Sequence, residues 1–207
     1  MWSDQKKKSL YWLLSAFVVV PLAIVGFSSI GVSTIEAAAG SSGASWGFNI
    51  HPSGPESNDI NKSFDYVVDL GGTCVRTDIR WYDIEPTNNS WNQDKITWYN
   101  NYINAANNKG LSVIIVLGGG GGMPQWAKDL YNSNPEAFWQ DWKEFCAKIA
   151  ELYGDRLYNY QIWNEANHGL DPINASDDYK LFIYGGQGIA SQDTSYRRII
   201  NVMCNVL

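Results

Sequence analysis

The segment Ile162-Trp163-Asn164-Glu165-Ala166-Asn167-His168 carries the strongest chemical signal in the chain. It sets one carboxylate directly after an indole and an amide, with a second amide and a histidine behind it. Apolar surroundings raise a carboxyl pKa and can hold the group protonated at neutral pH. A carboxyl in that state can protonate a departing oxygen. The purely structural alternative for Glu165 is a side chain capping the next turn. Other chemistries find less support. His51 and His168 lack a companion ligand at metal spacing, no CxxC occurs, and no metal is expected. The glycine run Gly118 to Gly122 is not followed by Gly-Lys-Ser/Thr, and Pro124 is read as interrupting a helix start there, so a phosphate loop and a nucleotide cofactor are not expected. Such a run instead allows a substrate or a neighbouring loop to come close. No G-x-S-x-G elbow appears. Asn61, Asn88 and Asn174 open formal glycosylation sequons.

The elements that would position this segment alternate. Strands are expected at Trp46–His51, Thr73–Ile79, Leu111–Leu117, Leu157–Trp163 and Arg198–Cys204. Leu111–Leu117 is almost continuously apolar, as a strand buried on both faces of a parallel sheet should be. Helices are expected at Asn58–Leu70, Asp94–Asn108 and Pro135–Tyr153, the last with Pro at its first position. Asp177–Gln192 has a helical pattern interrupted by Gly185, Gly186 and Gly188. A long loop, YDIEPTNNSWN, separates the second strand from its helix. Alternation of strand and helix means right-handed βαβ units and an α/β fold with a parallel sheet. Both an open doubly wound sheet and a (β/α)8 barrel fit that alternation. In either, functional groups gather at the C-terminal ends of the strands, where Glu165 falls.

The chain has 207 residues, 15 Lys+Arg against 21 Asp+Glu, and a formal net charge of −6. That balance excludes a general polyanion binder, and no nucleic-acid partner is expected. Aromatic residues make up 14% and charged residues 17%, a composition that folds. Three cysteines, Cys74, Cys146 and Cys204, are too few for a disulfide scaffold; one bridge or none is open. Lys6, Lys7 and Lys8 precede an uncharged stretch from Ser9 to Ile35, and Ala37-Ala38-Ala39 follows. Residues 1–39 are therefore read as lying outside the fold, as a cleaved export signal or a retained membrane anchor. Residues 40–45 form a linker and 46–207 the domain, which places the protein outside the cell, secreted or anchored, with membrane contact only through its N-terminal segment.

Several segments together resemble the clan A glycoside hydrolases, the (β/α)8 group that includes cellulase family 5 and β-xylosidase family 39. Asn164-Glu165 resembles the Asn-Glu pair that closes strand four. Val75-Arg76 resembles the strand-two arginine beside the nucleophile, and Trp81-Tyr82-Asp83-Ile84-Glu85-Pro86 with Trp91 resembles the loop before helix two. Lys109-Gly110-Leu111 with VIIVL, Pro124-Gln125-Trp126-Ala127, and Phe48-Asn49-Ile50-His51 match strands three and one. The resemblance covers about Trp46 to Ile173. It implies a (β/α)8 TIM-barrel type truncated to about five βα units, and retaining hydrolysis of O-glycosidic bonds in β-linked glycans without a cofactor. Glu165 would be the general acid and then base, and Asn164 would bond the sugar 2-hydroxyl. Arg76 would orient the nucleophile; its alternative is a salt bridge to Asp78 or Asp65. Trp126 and Trp163 offer faces to sugar rings or fill core. His51 and His168 line the cleft or lie on the surface. Glu85 reads as structural. The nucleophile belongs on strand seven, which this chain does not reach. A truncated gene, a half-barrel completed by a second chain, and a non-catalytic glycan-binding or wall-associated protein are the three readings of that departure.

Overall fold

The computed structural model describes residues 16–18, 46–50, 59–118, 122–164, 173, 177–193 and 199–200. Its elements are β1 (Ala16–Val18), β2 (Trp46–Asn49), α1 (Ile60–Asp69), β3 (Cys74–Ile79), α2 (Trp81–Ile84), α3 (Gln93–Asn108), β4 (Ser112–Leu117), α4 (Gln125–Ser133), α5 (Pro135–Tyr153), β5 (Asn159–Ile162), α6 (Asp178–Gln192) and β6 (Ile199–Ile200). The sheet runs β1-β2-β3-β4-β5-β6, and every neighbouring pair from β2 to β6 is parallel. That order decides between the two architectures. A doubly wound sheet reverses direction at a switch point, whereas a barrel adds each new strand beside the last. Five parallel strands in strict sequence order are the barrel arrangement, an α/β fold of (β/α)8 type described through four βα units and a fifth strand.

Alternation along the strands separates two faces. Val75, Ile79, Val113, Ile115, Leu117, Tyr160 and Ile162 belong to one continuous core with the helices. Arg76, Asp78, Ile114, Val116 and Gln161 fall on the opposite face, the inside of the barrel curve. The helical layer is unusually aromatic. Trp81 packs against Trp126, Phe138, Trp142 and Phe145 with ring centroids 5.3–5.8 Å apart. Burying each such side chain contributes about 1.5–3 kcal/mol, with a further increment from edge-to-face geometry.

The helices begin where their caps dictate. Asp59, Asn92 and Asn134 each accept a hydrogen bond from the backbone N–H three residues on, at Lys62, Lys95 and Ala137. Two stretches not expected to be helical form helices. Trp81–Ile84 forms one turn, held by the Trp81 indole on Glu85. Helix α4 begins directly after Pro124, which therefore does not interrupt a helix start. A helix leaves its first N–H groups without internal partners, so a proline at that border removes nothing the helix needs.

Helix α6 runs uninterrupted through its three glycines. A Cβ on Gly188 would lie 2.2 Å from the Lys143 carbonyl oxygen, and one on Gly185 would lie 3.0 Å from the Trp142 indole nitrogen. Gly185 and Gly188 let α6 approach α5 closely, and that contact outweighs the low helix propensity of glycine. Ala16–Val18, read from sequence as lying outside the fold, pairs antiparallel with Trp46–Phe48 and so covers the β2 edge. An edge strand exposes unpaired N–H and C=O groups, which an extended apolar segment can satisfy. Of the last expected strand, Ile199–Ile200 is observed beside β5, and 201–207 lie outside the described residues. Among the described residues no helix is long and apolar enough to cross a membrane.

Candidate active site

Arg76 organises the C-terminal end of the sheet. It stands on the inner face of β3, in register with Asn49 of β2. Its guanidinium donates from Nη1 to Asn49 Oδ1 (3.0 Å), from Nε to Gln161 Oε1 (2.9 Å) and from Nη2 to Asn164 Oδ1 (2.7 Å). Three side-chain amides, from β2, from β5 and from the turn after β5, are thus gathered on one planar cation. Arginine suits this role because its donors form a rigid fork. The salt-bridge alternative with Asp65 is not what forms, since Asp65 pairs with Lys109. Asp78 is buried two residues further along the same face.

Asn164 therefore presents its oxygen to Arg76, and its amide nitrogen is the atom that can donate to a ligand. The residue before it, Trp163, adopts a left-handed backbone with φ 62°. A bulky residue rarely does so, and such outliers concentrate at functional sites. Its N–H donates to the Leu117 carbonyl at 2.9 Å, and its carbonyl accepts from Gln161 Nε2 at 2.8 Å. The indole is 7% exposed and meets Trp142 edge-on at 5.9 Å. It lies over Gly118, where a Cβ would come within 2.6 Å of the ring. The neighbour that the glycine run admits at Gly118 is thus the indole of the next strand end.

Trp126 is half-buried. Its indole N–H donates to the Glu85 carbonyl at 3.1 Å and its ring packs edge-on against Trp81. Glu85 is buried and structural: its carboxylate accepts from the Trp81 indole and from the Asn89 N–H, both at 2.7 Å. Burial pushes its carboxyl above the ordinary glutamate value, and those two hydrogen bonds pull the other way. Glu165, His168 and His51 lie outside the described residues, so Arg76, Asn164 and Trp163 are the expected site residues brought together here. Gln161 and Asn49 join them without having been singled out from sequence. The available signal was period-two alternation, which puts 159 and 161 on the face of Arg76. Among the described residues no three His, Cys, Asp or Glu side chains gather as metal ligands.

A family model described as Cellulase (glycosyl hydrolase family 5) matches residues 36–180. No curated protein sequence matches the chain. Among solved structures, the exo-β-1,4-mannosidase Op5Man5 from Opitutaceae bacterium strain TAV5 is 20% identical with a TM-score of 0.55, over 67% of this chain and 26% of that one. The family 1 β-glucosidase from Thermotoga maritima is 18% identical with a TM-score of 0.56, over 67% and 35%. The virulence factor SghA from Agrobacterium tumefaciens, in complex with its substrate analogue salicin, is 13% identical with a TM-score of 0.57, over 68% and 35%. The chain spans about a quarter to a third of the length of these structures. At such identities they speak to the fold, and the fold they share is the parallel α/β arrangement described above. The family match extends over well more than half of the chain, through β2 to β5 and into α6: the chain belongs to glycosyl hydrolase family 5, the cellulase family.

Proposed function

We propose that the protein acts on β-linked glycans by retaining hydrolysis of O-glycosidic bonds, with Glu165 as general acid and then general base. The observation that carries this reading is the Arg76–Asn164 hydrogen bond at the C-terminal strand ends of a family 5 chain. Asn164 donates from Nδ2 to the sugar 2-hydroxyl oxygen, a contact that strengthens as the oxocarbenium-like transition state forms. Glu165, next in the chain, protonates the glycosidic oxygen as the bond breaks. It then removes a proton from the water that releases the sugar. A retaining mechanism also needs a nucleophilic carboxylate about 5–5.5 Å from the acid. Resemblance assigns that group to a seventh strand, so turnover is expected of a polypeptide, or a pair of chains, that carries one. Arg76, which already holds three amides, would in this reading also orient the nucleophilic carboxylate. The substrate is an oligo- or polysaccharide.

Export is part of the same proposal and is supported by Lys6–Lys8 followed by the uncharged run to Ile35. Cleavage after Ala39 would remove β1 and leave β2 as an edge.

The test is Glu165→Gln in a polypeptide, or a pair of chains, that carries the seventh-strand carboxylate. Aryl β-glycoside turnover should fall by about two to four orders of magnitude, with partial recovery on adding azide for an activated substrate. Turnover unchanged in that variant refutes the acid/base assignment. Oligosaccharide affinity equal in both forms, with no product from either, instead identifies a non-catalytic glycan-binding protein.

A further inference from the structure

We propose that Gln161 is a positioning residue of this site: its side-chain amide ties Arg76 to the Trp163 carbonyl and so sets the turn that presents Asn164. Gln161 lies on the inner face of β5, beside Val116 of β4. Oε1 accepts from Arg76 Nε at 2.9 Å, and Nε2 donates to the Trp163 carbonyl at 2.8 Å. A guanidinium only donates and a carbonyl only accepts, so the bridge requires one group with both capacities at the same reach. An amide has them. A glutamate at neutral pH keeps the acceptor and loses the donor, and an apolar side chain loses both.

The bridge matters because of what it holds. Trp163 sits at φ 62°, a conformation that persists only where its surroundings over-determine it. Leu117 fixes its N–H, Gly118 makes room for its indole, and Gln161 fixes its carbonyl. The turn brings Asn164 back to Arg76 Nη2 at 2.7 Å. Arg76, Gln161, Trp163 and Asn164 thus form a closed circuit in which one cation is tied to both ends of the strained turn. Gln161 does not need to touch a sugar. It acts through Asn164, and only the binding arm of the test below rests on the glycan reading.

The experiment uses the 207-residue chain, 15N-labelled, with Gln161→Glu and Gln161→Met. Both variants should move the Trp163 and Asn164 amide resonances while those of β4 stay in place. Solvent exchange of the Arg76 Nε–H should accelerate in Gln161→Met and stay slow in Gln161→Glu. Unmoved Trp163 and Asn164 resonances in Gln161→Glu overturn the proposal, as do shifts spread evenly over the sheet. In the second arm, cellohexaose, mannohexaose and xylohexaose are titrated in turn. Gln161→Glu should lower the affinity for the best of them about tenfold, the loss of one hydrogen bond's worth of alignment. Asn164→Ala should do at least as much, and the double variant no more than Asn164→Ala alone. Additive losses show that Gln161 works by another route and overturn the proposal. If the parent chain binds none of the three, the glycan reading fails, and the resonances alone decide the role of Gln161.

Discussion

Two glycines of α6, two residues apart, should respond with opposite sign to the same substitution. Glycine in a helix interior is less favourable than alanine by about 1 kcal/mol. At Gly186 a Cβ meets nothing within 4 Å, so Gly186→Ala should be stabilising by about 0.5–1 kcal/mol. At Gly188 the added Cβ would lie 2.2 Å from the Lys143 carbonyl oxygen and 3.1 Å from the Ala147 nitrogen, both backbone atoms of α5. Rotamer changes cannot relieve that clash, so α6 must move away from α5, loosening the hydrogen bond from the Trp142 indole to the Leu181 carbonyl and the close approach of Gly185 to Trp142 and Cys146. Overpacking of this kind costs about 1–3 kcal/mol, occasionally more. Because backbone has to shift, the upper end applies, and about 2 kcal/mol of net loss remains after the propensity gain. For a chain of this size 1 kcal/mol moves Tm by about 2–4 °C. The Tm of Gly186→Ala should therefore rise by about 1–4 °C and that of Gly188→Ala fall by about 4–8 °C in thermal unfolding followed by far-UV circular dichroism, with matching shifts in urea midpoint. If both variants are stabilised, α6 is not seated on the backbone of α5 and the packing argument fails.

The same logic applies at the site. Gly118→Ala combines a φ of +73° with a Cβ 2.6 Å from the Trp163 ring, whereas Gly110→Ala has a φ of +74° and open space. The second should cost about 1–2 kcal/mol and the first about 1–3 kcal/mol more, measured by urea denaturation; equal costs would place the Trp163 indole elsewhere. Arg76→Lys replaces a fork by a point donor that cannot span three amides, and should lose at least about 2 kcal/mol of stability together with glycan affinity. A loss below about 0.5 kcal/mol would mean that the amide cluster stands without it. Glu85 supplies a pH test. Its folded carboxyl is raised by burial, so the folded state binds a proton more tightly than the unfolded one. Stability from this group is greatest below the unfolded value, about 4.3, and declines as pH rises through the raised folded value. Relative to Glu85→Gln, the parent chain should therefore lose stability across that window. A flat difference, followed by denaturation at several pH values, would contradict the assigned burial.

How the fold and the site became legible differs by element. Continuous apolar runs, caps and alternation are local signals, and they marked β3, β4, α3 and α5 to within one or two residues of their observed bounds. Asn-Glu after the fourth expected strand marked the segment on which the site turns, and Arg76 followed from its likeness to a family pattern. Helix α4 and the single turn α2 escaped notice because proline and polar residues disguise short helices whose stability comes from packing. Gln161 escaped because one of its two partners, Arg76, lies 85 residues away, and the other, the Trp163 carbonyl two residues on, comes within reach only through a left-handed turn that no local pattern announces.

By itself, then, the sequence determined the class of the fold, its alternation of strand and helix, and the identity of the residues at one strand end. Its periodicity left barrel and doubly wound sheet equal, because each βα unit has the same local pattern in both, and only the resemblance to a family favoured the barrel. Strand order settled that, and order is a property of how units pair, not of any unit's composition. Tertiary structure also decided that Gly185 and Gly188 serve a helix contact rather than interrupt a helix, that Trp163 is packed over Gly118 rather than laid open, and that one arginine binds three amides. Each outcome depends on groups distant in the chain meeting within a few ångströms, and hydrogen bonding and steric exclusion act only at that range.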